Sequence, residues 1–476
     1  MRIARNRMGR SARLTLAAVL LAAAPACDRV KDNLLEAVDP DLIMPATINS
    51  PEAADALRVG ELSRLRGITG GGEGIWMLGG LLADEWKSSD TFSQRNETDQ
   101  RSILESNGNV QGMYRALHRL RTSGREAINA LNTYKPSPAW GIGQMYMSMG
   151  IAELYLGENF CNGIPLGDGS TGAPVYGPPL SNTQVITLAL AHFDSALTSA
   201  LPATDANAVT LSNIAKVLKA RAQVDLGQFQ AAAATVNGIA TSMGETLVTY
   251  SLTTGDNQVW SLNTSQKRWT VGDSVDAAGL IRNAIPFASL GDTRVRTTGS
   301  TLGTSSLGRG FDGSTNLVVQ TQYARSDAAY LASGVDARLI EAEARLQAQD
   351  IDGMMTILNT LRGAVQKLAP NYSTTAMAAL PTPATQAEAT SLFFREKALW
   401  QFSRGYRLND LRRLVRQYGR TQDQVFPTGT FFKSGTPYGS DVNFPVTTDE
   451  YNNPDFKGCT DRKSTRLNSS HIPLSR

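Results

Sequence analysis

Apolar residues recur at helical spacing along much of this 476-residue chain. Leu180-Ser181-Asn182-Thr183-Gln184-Val185 reads as a capping box, with Ser181 as N-cap and Gln184 at N3, and Leu180 and Val185 stand where a hydrophobic staple places them. Val185, Leu188, Phe193, Ala196 and Leu197 continue that helix as an apolar face towards Leu201-Pro202. A second helix is predicted over 213–226, with Ile214, Val217, Leu218, Ala222 and Val224 as its stripe and Gly227 at C′. Residues 334–349 and 354–367 form a third helical pair, and 392–418 reads as the longest continuous helical region. Three segments break the pattern. Residues 90–109 are polar and do not read as helical. Residues 251–322 are dominated by Ser, Thr, Gly and Asn, with Trp260, Trp269 and Phe287 scattered among them, and 426–454 is similar. Long irregular stretches inside a compact protein are often functional.

A weak repeat runs through the helical parts: IAELYLGENF at 151–160, ARAQVDLGQF at 220–229 and IEAEARLQAQDI at 340–351. Small and apolar residues line a helix, a turn follows, and a new helix begins. This resembles a tetratricopeptide-type hairpin, although generic antiparallel helices give nearly the same pattern.

The two ends change the charge picture. Arg2, Arg5, Arg7, Arg10 and Arg13 precede a short apolar run at 14–24 and then Cys27, the layout of a secretory signal. The run is shorter than the ~20 residues of a membrane-spanning helix. Ala24-Pro25-Ala26-Cys27 resembles a bacterial lipobox, so residues 1–26 are expected to be a signal peptide and Cys27 a lipidated N-terminus; the other reading is an A-x-A cleavage site followed by an incidental cysteine. Two or three acyl chains would anchor stably, whereas one is marginal. At the other end, DRKSTRLNSSH resembles the translation of a sequencing adapter, so 461–476 is expected to carry no fold information. The chain holds 46 basic and 43 acidic residues. Setting aside the five leader arginines, the four basic residues after Asp461, and Asp461 itself leaves 37 basic and 42 acidic, a net charge of −5 despite the whole-chain pI of 8.7. Nothing here points to nucleic acid. Of three cysteines, Cys161 and Cys459 remain, an even number suited to an oxidising compartment, and they are expected to pair across nearly 300 residues; two buried thiols are the alternative.

Catalytic motifs are scarce. Gly308-Arg309-Gly310-Phe311-Asp312-Gly313 is a formal G-x-G-x-x-G, but it lies in loop-like sequence rather than between a strand and a helix. Gly70 to Gly74 lacks the Lys-Ser/Thr of a phosphate loop and reads as a hinge before an apolar helix at 75–82. His118 and His192 are far apart on predicted helices, which argues against a zinc hydrolase, and there is no G-x-S-x-G elbow. No cofactor or metal is expected. Aromatic and polar residues of the irregular segments remain as ligand-binding candidates: Asp84, Trp86, Arg95, Asn96, Trp260, Arg268, Trp269 and Tyr323. A flat ring offers a platform for the C–H face of a sugar, while Asp, Asn and Arg bond its hydroxyl rim. Against this, each Trp could equally be a buried anchor for its loop.

Near the C-terminus, FFREKALWQF at 393–402 and GYRLNDLRR at 405–413 resemble the R-E-R-A-x-E-L-x-F-E-G-x-R-W-x-D-L-R-R signature of SusD/RagB-type outer-membrane lipoproteins. Phe444-Pro445-Val446, Glu450 and Asn453-Pro454 resemble that family's closing motif. Residues 338–344 with Leu358, Asn359 and Arg362 resemble its preceding hairpin, and 157–160 with Ile164-Pro165 an early turn. Trp400-Gln401 and Ser403-Arg404 depart from the signature. Arg395, Glu396, and Arg407 with Asp410 are spaced to pair within and between helix turns and read as scaffold. The resemblance implies a mostly α protein, a tetratricopeptide-like scaffold of helical hairpins with long irregular insertions forming a ligand-binding layer. It implies a single domain over 27–460: an N-terminal part of about 27–230, the loop region 251–322 and a C-terminal part of about 323–460. It also implies a non-catalytic, lipid-anchored protein on the outer-membrane surface that passes glycan or peptide to a TonB-dependent, SusC-like transporter. The alternatives are a periplasmic helical-repeat scaffold that binds other proteins and, less favoured, a helical glycoside hydrolase.

Overall fold

The computed structural model describes residues 48–167, 175–301 and 304–461; the leader with Cys27, and the tail from 462, lie outside them. The first helix shows how local chemistry sets the architecture. Ser50 accepts a hydrogen bond from the Ala53 amide, Pro51 occupies the first turn, and α1 runs Pro51–Ile68. The glycine-rich turn after it leads to α2 (Ile75–Leu82), apolar along its whole length and wholly buried. After β1 (Trp86–Ser88) comes α3 (Ser93–Asp99), followed by α4 (Gly108–Tyr134) and α5 (Trp140–Asn159). The capping box at Ser181 and Gln184 opens α6 (Asn182–Ser199) as read from sequence. Next are α7 (Ala206–Asp225) and α8 (Phe229–Val236), with Gly227 at φ +75° between them. The loop region holds β2 (Trp269–Val271) and several two-residue strands. The chain closes with α9 (Gly334–Gln347), α10 (Ile351–Arg362), α11 (Gln386–Trp400) and α12 (Arg407–Arg416), then a small hairpin of β3 (Thr430–Phe431) and β4 (Thr436–Pro437).

Neighbours in sequence are mostly neighbours in space. Helix α1 packs on α4, α4 on α5, and the succession continues through α6, α7, α8 and α9, with α10 and α11 against α9 and α12 against α2 and α5. The result is a mostly α, tetratricopeptide-like stack of helical hairpins carrying loop insertions. Glycines set its closest approach. On α5 a Cβ at Gly143 would lie 2.6 Å from Leu211 Cδ2, at Gly150 2.7 Å from Phe193 Cε1, and at Gly157 2.5 Å from Ile186 Cγ1. Their seven-residue spacing puts all three on one face, so α5 meets α6 and α7 nearly backbone to side chain. Among the described residues, no helix is long and apolar enough to cross a membrane.

Four expectations about elements need correction. The polar stretch 90–109 contains α3 and the start of α4, because the Asn107 side chain caps the amides of Asn109 and Val110. At 27 residues α4, not 392–418, is the longest helix described. The 392–418 region breaks between α11 and α12, where Ser403 and Gly405 take φ of +60° and +74°. The second helix begins at Ala206 rather than 213, since Asp205 accepts from the amides of Asn207 and Ala208.

The break has a consequence for the buried charges. Arg407 forms a two-pronged pair with Asp84 (2.6 and 2.9 Å), not with Asp410. Arg404 does the same with Asp336 (3.0 and 2.8 Å). Asp410 takes Lys397 at 2.6 Å and Arg413 at 3.3 Å, while Glu396 accepts from Arg294 and Arg362. The signature charges therefore join separate elements, with Asp84–Arg407 tying the base of the loop layer to α12. Removing one partner of such a buried pair leaves an uncompensated charge, at a cost of about 3–5 kcal/mol. Cys161 and Cys459 are disulfide-bonded, with Cα atoms 5.6 Å apart, as expected from the cysteine count.

Candidate functional site

An antiparallel ladder joins β1 to β2, pairing Trp86 with Val271, Lys87 with Thr270 and Ser88 with Trp269. Beyond the ladder, the Ser89 amide donates to the Arg268 carbonyl (3.0 Å) and the Ser89 hydroxyl to the Lys267 carbonyl (2.8 Å). The polar segment after β1 is thereby laid beside the residues preceding β2. A third strand of chain covers them: the Phe311 amide donates to the Lys267 carbonyl and the Asp312 amide to the Ser89 carbonyl (2.8 and 3.0 Å). This explains the G-x-G-x-x-G sequence. Gly308 and Gly313 adopt φ of +79° and +69°, and a Cβ on Gly310 would lie 2.4 Å from the Ser89 Cβ. The glycines fold a loop onto the ladder, as its composition suggested.

Asp90 is the hub. Its carboxylate, with the side chain fully buried, accepts from Arg268 Nη1 (2.9 and 3.0 Å), from Arg95 and from the amide of Thr91 (2.6 Å). Arg95 also pairs with Glu73. Lys433, from the β3–β4 hairpin, donates to the Asp90 carbonyl and to Asn96 Oδ1 (both 2.9 Å) and pairs with Asp312 at 2.7 Å. Burial alone would raise the Asp312 carboxyl, but Lys433, Thr315 and two loop amides outweigh it and hold it at about 2. Desolvation lowers the Arg95 guanidinium, with Glu73 opposing.

Two phenylalanines rise from this charged base. Phe92 is 53% exposed and Phe311 51%. The Arg268 guanidinium lies 3.9 Å from the Phe311 ring centroid and 5.0 Å from that of Phe92, within cation–π range of both. Arg95 lies 5.3 Å from the Phe92 centroid. The arrangement is an exposed apolar platform of two rings with a guanidinium held against both by a buried carboxylate.

The eight residues nominated from sequence divide clearly. Arg95, Asn96 and Arg268 meet at this platform. Trp86 and Trp269 do not line a surface: they are 1% and 0% exposed, and both indole N–H groups lack a partner among the described residues. Trp86 packs on Phe402, 5.3 Å between centroids. Tyr323 is buried too, its hydroxyl accepting from Gln322 at 3.3 Å, with burial pushing its phenol upward. Asp84 is engaged by Arg407 and by the Ile285 amide. These four are loop anchors, because ladder residues facing the helices are covered by them. Trp260 is half-buried, with the Arg325 guanidinium 5.7 Å from its ring centroid. Phe92, Phe311 and Lys433 were missed. Phe92 is the sole aromatic in 90–109, and Phe311 stands inside the glycine motif, so an isolated ring in polar loop sequence was the signal available. A separate cavity of about 700 Å³ lies where residues 290–294 face α10 and α11; its Arg294, Arg362 and Glu396 are tied to one another. No group of His, Cys, Asp and Glu among the described residues is placed to hold a metal.

No family model and no curated protein matches the sequence. Solved structures do. A SusD superfamily protein from Bacteroides fragilis aligns at TM-score 0.58 and 12% identity, over 85% of this chain and 97% of its own. A SusD/RagB family protein from Bacteroides thetaiotaomicron gives 0.57 and 12%, over 85% and 95%. A structure described as a SusD-like carbohydrate binding protein from Bacteroides fragilis gives 0.55 and 13%, over 77% and 87%. At these identities the likeness is one of architecture, and the chain carries the SusD/RagB fold.

Proposed function

We propose that this protein is a cell-surface lipoprotein that binds oligosaccharide, or in some settings peptide, and delivers it to a TonB-dependent, SusC-like transporter in the outer membrane. The observation that carries the reading is the exposed Phe92–Arg268–Phe311 platform, built from loops inserted into a helical stack. Rings of this kind present apolar area to the C–H face of a sugar, and the polar groups beside them fix its orientation. A structure of similar fold is described as carbohydrate binding, which supports the ligand class. Cys27, acylated, would tether the domain beside its channel. The reading assigns no catalytic step to the protein.

The test is calorimetry of the purified mature chain against a glycan panel, followed by Phe92→Ala/Phe311→Ala. The double variant is expected to lose roughly tenfold or more in affinity, the loss of about 1.4 kcal/mol of ring contact, with its circular dichroism unchanged. Unchanged affinity would remove the platform as the site. Protease shaving of intact cells tests the location, since only a surface protein is cut, and co-purification with an outer-membrane transporter tests the partner.

A further inference from the structure

We infer that the ligand of the Phe92–Phe311 platform is an acidic saccharide, one bearing carboxylate or sulfate groups; this rests on the platform being the binding site. A neutral sugar hydroxyl both donates and accepts, so a site for it benefits from free acceptors as well as donors. Here the carboxylates of Asp90 and Asp312 are occupied at both oxygens, and that of Glu73 at one. Asp90 receives Arg95, Arg268 and the Thr91 amide with its side chain fully buried. Asp312 receives Thr315, Lys433 and two loop amides, with 6% of its side chain exposed. Glu73 Oε1 is taken by Arg95, and Oε2 is the one oxygen of these three carboxylates left without a partner among the described residues. The Asn96 amide oxygen accepts from Ser88 and Lys433, and its nitrogen donates to the Asp90 carbonyl.

Donors, by contrast, remain. Only Nη1 of Arg268 is engaged by Asp90, which leaves Nε and Nη2 without a partner among the described residues, over the Phe311 ring. Lys267, adjacent in the chain, is exposed and its ammonium has no partner among the described residues. Arg309 is exposed, and only its Nη1 is bonded, within its own loop. Of the charged side chains that hold the platform or stand beside it, the two exposed ones, Lys267 and Arg309, are both cations. A protein whose folded part is otherwise acidic thus presents a locally cationic, donor-rich surface around two exposed rings. Hydrogen bonds from a guanidinium or ammonium to an anionic oxygen are about twice as strong as bonds between neutral groups, and only an anion adds the attraction of opposite charges. The ring pair supplies the apolar contact common to any saccharide, and the surplus donors select among them.

Calorimetry with oligogalacturonate and its fully methyl-esterified form separates charge from backbone, and chondroitin sulfate beside unsulfated chondroitin separates sulfate from carboxylate. At least one acidic member is expected to bind ten times or more tightly than its less charged counterpart. Lys267→Gln/Arg309→Gln should cut that affinity several-fold, and 0.5 M NaCl should weaken it. Phe92→Ala/Phe311→Ala should weaken it roughly tenfold or more, which excludes diffuse polyanion binding. Neutral glycans bound as tightly as acidic ones would overturn the inference and leave the binding platform standing. Acidic ligands that ignore the loss of both rings would also overturn it. No saccharide binding at all would overturn both.

Discussion

Glu61 on α1 is fully buried against α4, with Oε2 2.5 Å from the Ser123 hydroxyl and Oε1 without a partner among the described residues. The same hydroxyl lies 2.7 Å from the Arg119 carbonyl, and having one proton it can donate to only one of them. A protonated Glu61 that donates to Ser123 satisfies the group. Burial pushes this carboxyl up to about 8, against smaller lowering by Ser123 and Arg64. The folded state therefore keeps a proton that the unfolded chain releases near pH 4.5. Stability from this group is full below that value and declines as pH rises towards 8, by at most about 1.4 kcal/mol per unit. Glu61→Gln should match the parent in urea unfolding at pH 4.5 and exceed it increasingly at pH 6, 7 and 8; parallel curves would mean that Glu61 is ionised in the fold. The same scale shows where residue type misleads. Trp86, Trp269 and Tyr323 suggested a sugar platform, yet their large apolar area is what anchors a loop layer to helices. Phe92 and Phe311, flanked by polar residues that could not cover them, are the rings left outside.

At the scale of elements, what could be read locally was read well. The Ser181–Gln184 box, the Gly227 reversal and the apolar helix at 75–82 depend on neighbours three or four residues away. The break between α11 and α12 depends instead on Asp84 and Asp336, distant in sequence, drawing Arg407 and Arg404 in different directions. The glycine stripe of α5 was present in the sequence as a seven-residue spacing, but its meaning lies in the helices it meets. Gly150→Val should force Phe193 from its place and lower unfolding stability by about 1–3 kcal/mol, the usual cost of overpacking. Gly112→Val, on α4 with open space around its α-carbon, serves as the control for helix propensity. Equal losses in the two variants would show that α5 and α6 tolerate separation.

For the whole molecule, helical periodicity gave the helices and the SusD/RagB resemblance implied their hairpin stack, whereas neither located the platform. The platform is assembled from segments near 90, 268, 311 and 433, and only the β1–β2 ladder and the loops across it bring them together. The disulfide works at this scale too. Phe444 bridges to Phe160, and the Val446 amide lies 3.2 Å from the Cys161 sulfur, so the C-terminal segment is held on the end of α5 by backbone and sulfur together. Cys161→Ser/Cys459→Ser is expected to lose about 2–5 kcal/mol in urea unfolding. A parent protein insensitive to reductant would show that packing alone holds the segment.

That bond also makes residues 161–459 a covalent ring. A protease that cuts one exposed loop within it opens the ring without dividing the chain, so the helices on either side of the cut stay covalently joined. At the cell surface proposed above, one nick would be survivable damage. On a gel, such nicked protein should run as one species until reductant is added and then separate into two.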